Sequence, residues 1–447
     1  MKKSDVSRRS FVQAGVLGMG GLNLAELLRL KALATRPSSI SPGRKTSVIL
    51  FWLSGGPGHM ETWDPKPEAP AEFRGPFGAT PTNVPGVQFG ELMPQLAERM
   101  DKLAILRSVN HGSGDHTKAN HWMLTGFEGP AFNAPDFREQ RRPSMGSAVS
   151  AVGGANHPSM PAYVAVPHLR GGTDNFFHYS AYLGGGYNPF VVNSDPNSKD
   201  FSVRNLSLPA GLTQPRLEDR LGLLQSMDRL KRNRESQMVD LDQHHQKAFD
   251  LLTSRRVRDA FDIEAEDIGT RKSYGLHTFG QSALVARRLV ERGVTFVTVN
   301  CVPWDHHGSS NRYQTEEGSK LLIPPLDVAI SGLIDDLEQR GLYEDTMVIA
   351  MGEFGRTPRM NKYAGRDHWG NTFSVLVGCG SMNMGQVIGR STSNGTNVAS
   401  RPLSPEDVSA TVYHHLGIDG ENTMLNDLLD RPMPLIAEGK PIRELFS

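Results

Sequence analysis

Long apolar runs rich in β-branched residues alternate along the chain with segments whose apolar positions recur at helical spacing. Runs of this kind form strands that are buried on both faces of a parallel sheet. The runs are Ser47–Leu53, Leu103–Val109, 162–167, 294–302, Thr346–Met351 and 373–377. The helical segments are 89–102, 143–154, 275–293, 325–341 and 405–416. The alternation predicts one α/β domain with a doubly wound, mostly parallel sheet.

Two segments depart from this alternation. Residues 1–34 place Arg8-Arg9 before an apolar, glycine-rich stretch and end in Ala32-Leu33-Ala34. This order resembles a twin-arginine export signal with its cleavage site, and an ordinary amphipathic first helix is the alternative. Residues from about 215 to 265 are densely charged with leucines at helical spacing, which predicts an α-helical insertion in a domain that spans 45–447.

The composition limits the class of partner. The 447-residue chain is 38% hydrophobic and carries 48 basic and 48 acidic residues. The absence of net charge gives no reason to expect binding to nucleic acid or to an anionic membrane. Beyond the first segment, no stretch reaches the roughly 18 apolar residues of a membrane span. The two cysteines, Cys301 and Cys379, either pair after export or remain buried thiols.

Carboxylates and imidazoles collect where the predicted strands begin or end. Because parallel strands share one carboxyl edge, we expect these side chains to lie close together. The candidate ligands are Asp64, Asp305, His306, His307, Glu353, Asp367 and His368. Mixed oxygen and nitrogen donors without thiolate suit zinc, manganese, magnesium or calcium. The sequence therefore predicts a site for one or two divalent ions.

A further polar segment, 111–126, leads from a predicted strand into a helix. A helix N-terminus at a strand end offers unpaired N–H groups to phosphate or sulfate, so Thr117 is a candidate nucleophile. The alternative is that these polar groups only cap the helix. Lys118 and Arg356 are candidate partners of an anionic substrate, and either is equally suited to be a structural counter-ion.

Four motifs together resemble one exported bacterial family. They are FWLSGGPGHMETWDPKP from residue 51, NHGSGDHTKANHWMLTG from 110, MGEFGRTP from 351 and GRDHWG from 365. With the twin-arginine start, they are similar to the family called domain of unknown function 1501, within the alkaline phosphatase and sulfatase superfamily. The similarity covers nearly the whole mature chain. It implies an alkaline-phosphatase-like fold with a metal centre at the carboxyl edge of the sheet.

The resemblance also implies ligand roles. Asp64, or less readily Glu61, is similar to the metal-binding Asp that follows the first strand in the superfamily. Asp305 with His306 or His307 is similar to the loop ligands of the superfamily. His368 is similar to the histidine ligand that comes late in the superfamily's sequences.

Two positions depart from the superfamily pattern. Glu353 stands where an Asp-His pair is usual, which puts a second ion in doubt. His116, beside Thr117, stands at the nucleophile position, where sulfatases have a modified Cys and phosphatases have Ser or Thr. The lack of a Cys there argues against a formylglycine sulfatase.

These features predict a metal-dependent hydrolase of a phosphate or sulfate ester, exported to the periplasm or cell surface. Its substrate would be a small-molecule or glycan ester, attacked by an ion-activated water or by a hydroxyl such as Thr117. The alternative is a non-catalytic exported protein that keeps the fold and binds a glycan or a partner through the insertion. The absence of the usual nucleophile favours the alternative, and the density of His and carboxylate at strand ends favours the enzyme.

Overall fold

The computed structural model describes residues 45–136, 138–169, 177–203, 254–309 and 312–447. The predicted signal segment, 1–34, lies outside the described residues. So does most of the predicted insertion, of which only 254–265 are described. Lys45–Ser447 forms one compact unit.

The described residues contain sixteen strands, most of them short. In chain order they are β1 (Ser47–Leu53), β2 (Ala79–Pro81), β3 (Gln88–Gly90), β4 (Leu103–Val109), β5 (Tyr163–Val166), β6 (Phe190–Val191), β7 (Phe296–Cys301), β8 (Thr346–Met351), β9 (Gly355–Arg356), β10 (His368–Trp369), β11 (Phe373–Gly378), β12 (Gln386–Ile388), β13 (Arg390–Ser391), β14 (Val398–Ser400), β15 (Met424–Asn426) and β16 (Pro432–Pro434).

The α-helices of the described residues lie between these strands. They are α1 (Ala71–Arg74), α2 (Pro94–Ala97), α3 (His116–Thr125), α4 (Met145–Val152), α5 (Arg255–Phe261), α6 (Ile268–Ser273), α7 (Thr278–Glu291), α8 (Thr315–Gln339) and α9 (Pro405–His415). None of the helices in the described part is long and apolar enough to cross a bilayer.

Eight strands form the main sheet, in the order β12-β4-β11-β8-β1-β7-β5-β6. Strand β1 lies parallel to both of its neighbours, β7 and β8, and the parallel pairing continues through β5 to β6. Strand β11 runs antiparallel to both β4 and β8. The prediction of a mostly parallel α/β sheet is therefore confirmed, with one reversed strand that the sequence pattern did not indicate.

Alternate residues of the central strand enter two different cores. Ile49 and Phe51 pack on the face covered by α7 and α8, whereas Leu50 and Trp52 pack on the face covered by α4 and α9. All four side chains are almost completely buried. Burial on both faces explains why β1 is continuously apolar, since each such side chain contributes about 1.5–3 kcal/mol when removed from water.

Polar side chains fix the starts of several helices. The side chain of His277 accepts the Gly280 N–H at the start of α7. Ser404 and Asp407 form a reciprocal capping box at the start of α9. Each cap satisfies a backbone donor that the helix itself leaves unpaired.

Two predicted helices differ from the structure. Segment 89–102 contains the end of β3, the short helix α2 and a 3-10 turn at Met100–Lys102. Its apolar spacing reflects burial of Leu96 and Met100 in the core rather than one continuous helix. Helix α8 begins ten residues before the predicted start at 325 and contains Pro324 and Pro325, because its buried apolar stripe outweighs the local cost of proline.

The parallel strands direct the chain to one edge of the sheet. The loops that follow β1, β7 and β8 leave this edge, and the antiparallel β11 enters it just after β10. Helix α3, which follows β4, also begins on this side. The segments singled out for their carboxylates and histidines therefore meet at the place where open α/β sheets bind ligands.

We expect Leu50→Ala to lower the free energy of unfolding by about 2–5 kcal/mol, because it leaves a cavity in a closely packed layer. Leu50 is 1% exposed, whereas Leu428, in the loop between β15 and β16, is 79% exposed. The control variant Leu428→Ala should change stability by less than about 0.5 kcal/mol. Urea denaturation measures both, and equal losses in the two variants would contradict the core assignment.

Candidate metal centre

The carboxylate of Asp305 lies at the centre of the polar cluster. Its Oδ1 atom is 2.7 Å from Arg356 Nη2 and 2.7 Å from His307 Nε2. The Nε2 atoms of His368 and His116 lie 3.2 and 3.7 Å from the same oxygen. Although burial opposes ionisation, hydrogen bonds from the three imidazoles and the charge of Arg356 hold the pKa of Asp305 well below its usual range.

His116 is oriented by a buried carboxylate. Its Nδ1 atom lies 2.7 Å from Glu353 Oε1, and Glu353 is itself held by the Gly55 N–H at 2.9 and 3.0 Å from its two oxygens. Because an ionised carboxylate only accepts hydrogen bonds, the Nδ1 of His116 must donate. The Nε2 atom of His116 is then directed towards Asp305.

The other two imidazoles are oriented in the same way. His368 Nδ1 lies 2.8 Å from the Gly114 carbonyl oxygen, which can only accept. His307 Nδ1 lies 3.1 Å from Asp367 Oδ1. Hydrogen bonds at Nδ1 fix the ring orientation and direct Nε2 towards Asp305, where it would be the ligand atom once a metal ion displaces its proton.

The Nε2 atoms of the cluster also come close to one another. Those of His307 and His368 are 2.9 Å apart, so they either share one proton or face a common cation. His116, Asp305 and His368 each offer one ligand atom, and these atoms lie within 4.8 Å of one another. Imidazole nitrogen with one carboxylate oxygen is a donor set that suits zinc or manganese.

An aromatic ring closes one side of the cluster. Phe354 stacks on His368, with ring centres 4.5 Å apart, and lies 5.0 Å from the ring of His116. Burial lowers the pKa of His368 below its ordinary value despite the neighbouring carboxylate. His116 differs, because its hydrogen bonds to Asp305 and Glu353 outweigh burial and raise its pKa to about 9 in the metal-free cluster.

The guanidinium of Arg356 is buried beneath this cluster. Besides Asp305, it donates to the carbonyl oxygens of Gly56 at 2.9 Å, Trp304 at 3.1 Å and Arg366 at 3.2 Å, and also to that of Gly55. Its side chain is 2% exposed. Arg356 therefore belongs to the cluster as a fixed internal cation, and these contacts do not leave it open to contact a substrate.

The structure does not bring Thr117 or Lys118 to the Nε2 atoms. Asp115 caps α3, and its Oδ1 accepts the Thr117 hydroxyl at 2.6 Å and the Thr117 N–H at 2.9 Å. Lys118 forms an ion pair with Glu128. Local capping, the alternative noted for this segment, explains the position of both residues.

Asp64 and Glu61 also lie in other networks. The carboxylate of Asp64 is 2.8 Å from Lys66 Nζ and 3.3 Å from Arg107 Nε, and it accepts the Ser391 hydroxyl. Glu61 pairs with Arg366 at 2.8 Å. These cations neutralise both carboxylates, so neither joins Asp305 in the cluster.

The two adjacent histidines of the loop after β7 point in different directions. His306 packs against α8, where a Cβ atom on Gly318 would come within 2.4 Å of its Nε2. Burial lowers the pKa of His306 to about 3. Of the two alternatives, His307 is therefore the one that the structure brings to Asp305.

Three contributors to the cluster were not found from the sequence. The Gly55 N–H and the Gly114 carbonyl are backbone groups, which no residue type reveals. Arg312, at the rim, has Nη2 3.5 Å from Asp305 Oδ2, and its side chain is 41% exposed. Arg312 lies eleven residues beyond the end of β7, where an arginine carries no sequence signal of its own.

A comparison with known protein families shows which family the chain belongs to. The family described as "Protein of unknown function (DUF1501)" matches residues 45–446. The chain belongs to the DUF1501 family. The resemblance stated from the motifs is therefore confirmed over nearly all of the described domain. A comparison with curated proteins finds no match for this DUF1501 chain.

Solved structures with similarity to the DUF1501 chain include three bacterial proteins. The lipoteichoic acid synthase LtaP from Listeria monocytogenes is 10% identical with a TM-score of 0.42, covering 86% of this chain and 75% of LtaP. A Vibrio parahaemolyticus protein in the alkaline phosphatase superfamily is 12% identical with a TM-score of 0.40, covering 86% and 69%. The sulfatase PsFucS1 from Pseudoalteromonas sp. is 11% identical with a TM-score of 0.39, covering 89% and 72%. Similarity at this level supports no conclusion about activity.

The raised pKa of His116 predicts a pH dependence of the metal-free protein. Since the folded pKa of about 9 lies above the ordinary value of 6.5, protonation of His116 stabilises the fold below pH 6.5. This contribution, up to about 3 kcal/mol, is lost as the pH rises from 6.5 to 9. Urea denaturation of chelator-treated protein should show that the free energy of unfolding falls between pH 6.5 and 9 in wild type and in the control His414→Gln. In His116→Gln the free energy of unfolding should change less over this pH range. An unchanged slope in His116→Gln would contradict this assignment.

Proposed function

We propose that this DUF1501 protein is an exported metal-dependent hydrolase of a phosphate or sulfate ester. The observation that carries the proposal is the convergence of three imidazole Nε2 atoms on Asp305 Oδ1, each imidazole being held at Nδ1 by an oxygen acceptor. Asp305, His307, His368 and His116 would hold the ion. A divalent ion bound there would lower the pKa of water towards 7 and polarise an ester oxygen.

The attacking group in this proposal is water rather than a side chain. The Thr117 hydroxyl donates to Asp115, which holds it at the helix cap. His116 is kept in position by Glu353, so its Nε2 remains directed into the cluster. The proposed reaction therefore uses an ion-activated water and does not require a Ser or Thr hydroxyl as the nucleophile.

Arg312 is the cation best placed to receive the anionic group of a substrate. It lies at the rim of the cluster, is partly exposed and faces the Oδ2 atom of Asp305. Arg356 and Lys118, the cations expected from the sequence to do this, are buried and ion-paired respectively. A planar guanidinium can bind two oxygens of a phosphate or sulfate at once.

A second candidate function is a non-catalytic exported protein on the same fold, which binds a glycan or a partner. The capped position of Thr117 favours it, because a standard hydroxyl nucleophile is then not offered at the cluster. In this case an ion bound by Asp305 and the histidines would have a structural role. The two candidates differ in whether the metal-loaded protein turns over an ester.

Metal content tests the ligand assignment. Mass spectrometry of the purified mature protein should find a stoichiometric transition metal, which Asp305→Ala and His368→Ala both lose. The matched control is His414→Ala, since His414 lies outside the cluster and packs against Phe446. A parent protein that stays metal-free after reconstitution with zinc and manganese would rule out the proposed hydrolase.

Kinetics test the role of Arg312. The substrate for this test is whichever of nitrophenyl phosphate, phosphonate and sulfate esters the wild-type protein hydrolyses fastest. For that substrate, Arg312→Ala should raise KM about tenfold or more, because a charge-assisted hydrogen bond to the substrate is lost. We expect kcat to change less than KM. Arg390→Ala, at an exposed arginine in β13, serves as the control. An unchanged KM in Arg312→Ala would remove Arg312 from the substrate site.

A further inference from the structure

The hairpin formed by β15 and β16 presents two adjacent leucines to solvent. Leu428 and Leu429 lie in the loop that joins the two strands, and they are 79% and 74% exposed. Met424, at the start of β15, is exposed as well. Neighbouring apolar side chains that remain in water mark a contact surface more often than a single exposed side chain does. The hairpin tip, residues 427–431, is therefore a candidate docking surface.

The hairpin tip is held in one conformation by Asp427. Its Oδ1 accepts the N–H groups of Leu429 at 2.9 Å and of Arg431 at 3.0 Å, and its Oδ2 accepts from Arg431 Nε at 2.7 Å. At the base of the hairpin, Leu425 and Leu435 are buried in the core. Because the backbone of the tip is already ordered, docking of the two leucines costs little conformational entropy.

A cavity of about 350 Å³ is formed by the chain on both sides of this hairpin. It lies between the end of α9 and the segment after β16, and its lining offers rings and long aliphatic stems, from His414, Glu421, Lys440, Pro441, Arg443 and Phe446. Cavities of this volume accept drug-sized molecules, so leucine side chains fit as well. Since Glu421 lies three residues before β15, the cavity and the hairpin are neighbours on the surface.

One wall of the cavity, residues 440–446, is fixed against α9. The Oδ1 atom of Asp407 accepts the Lys440 N–H at 3.0 Å, and the hydroxyl oxygen of Thr411 accepts the Ile442 N–H at 3.0 Å. The side chain of Ile442 is completely buried. The cavity is therefore present before any partner binds, as most ligand sites are.

The charges of the two surfaces are complementary. Glu444, the carboxylate of the cavity wall, pairs with an arginine outside the cavity, whereas Lys440 and Arg443 form no ion pair within the described part of the chain. These two cations outweigh Glu421 among the charged side chains of the lining. At the hairpin tip, Asp430 is exposed and accepts only a neutral amide N–H, at 2.7 Å. An apolar tip with one free carboxylate thus matches an apolar cavity with two free cations.

We propose that this surface binds a second copy of the chain, with the hairpin tip of each copy in the cavity of the other and Asp430 beside Lys440 and Arg443. Because every copy carries both surfaces, a twofold axis makes the contact twice. The proposal is independent of the proposed function, since the metal cluster takes no part in it. The contact is small, so the dissociation constant lies in the micromolar range. Below that concentration the dimer does not contribute to the stability of the monomer.

Sedimentation equilibrium of the purified mature chain tests the association. Wild type should pass from monomer to dimer as its concentration rises through the micromolar range. Leu428→Ser/Leu429→Ser should raise the dissociation constant about tenfold or more, because the tip no longer removes apolar surface from water. Leu321→Ser is the matched control, since Leu321 is half exposed on α8, and it should leave the dimer unchanged. A wild-type monomer throughout this range, or a dimer insensitive to the leucine variant, would overturn the proposal.

Charge variants test whether the hairpin tip and the cavity meet each other. Asp430→Asn keeps an acceptor for the Asn426 amide but removes the charge, and it should raise the dissociation constant about threefold to tenfold. Lys440→Gln/Arg443→Gln should have a similar effect. Combining all three substitutions should weaken the dimer no further than the two cation substitutions alone, because both changes remove one contact. Fully additive losses would show that Asp430 does not face these cations and would reject the proposed pairing.

Discussion

A buried negative charge at Asp305 is the constraint on which the rest of this edge of the sheet depends. An isolated carboxylate in a dry environment is very costly, so the surrounding chain must supply positive charge and hydrogen bonds. Arg356 provides the permanent charge, and the imidazoles of His116, His307 and His368 provide adjustable donors or ligands. Four segments distant in sequence, around residues 116, 305–307, 356 and 368, are thereby fixed against one oxygen atom, which is why the loops of this edge form one unit.

The main strands were predictable because burial on both faces makes them continuous apolar runs in the sequence. Ser47–Leu53, Leu103–Val109 and Thr346–Met351 have the bounds that their apolar runs indicate, since a strand covered on both faces is predominantly apolar. The reversal of β11 was not predictable, because strand direction depends on pairing with β4 and β8 rather than on composition. The predicted helix boundaries differed from the structure where tertiary packing outweighed local preference, as at the prolines of α8.

The candidate site was predictable in its location and only partly in its members. Asp305, Glu353 and His368 were placed by their position at strand ends, which the topology brings together. The sequence could not distinguish His306 from His307, because the contact that decides is the packing of His306 against Gly318. Asp64 illustrates the opposite failure. It follows the first strand, as a metal ligand would, but a turn after β1 carries it away from Asp305. Lys66 and Arg107 neutralise its carboxylate there.

The positions of the two cysteines decide whether the described domain can contain a disulfide. Cys301 ends β7, whereas Cys379 follows the reversed strand β11 and so lies at the opposite edge of the sheet, three strands away. With strands about 4.8 Å apart, the two sulfurs are far beyond bridging distance. The described domain thus contains no cross-link that an oxidising compartment would have to install. Its core can therefore be completed without oxidation of either thiol.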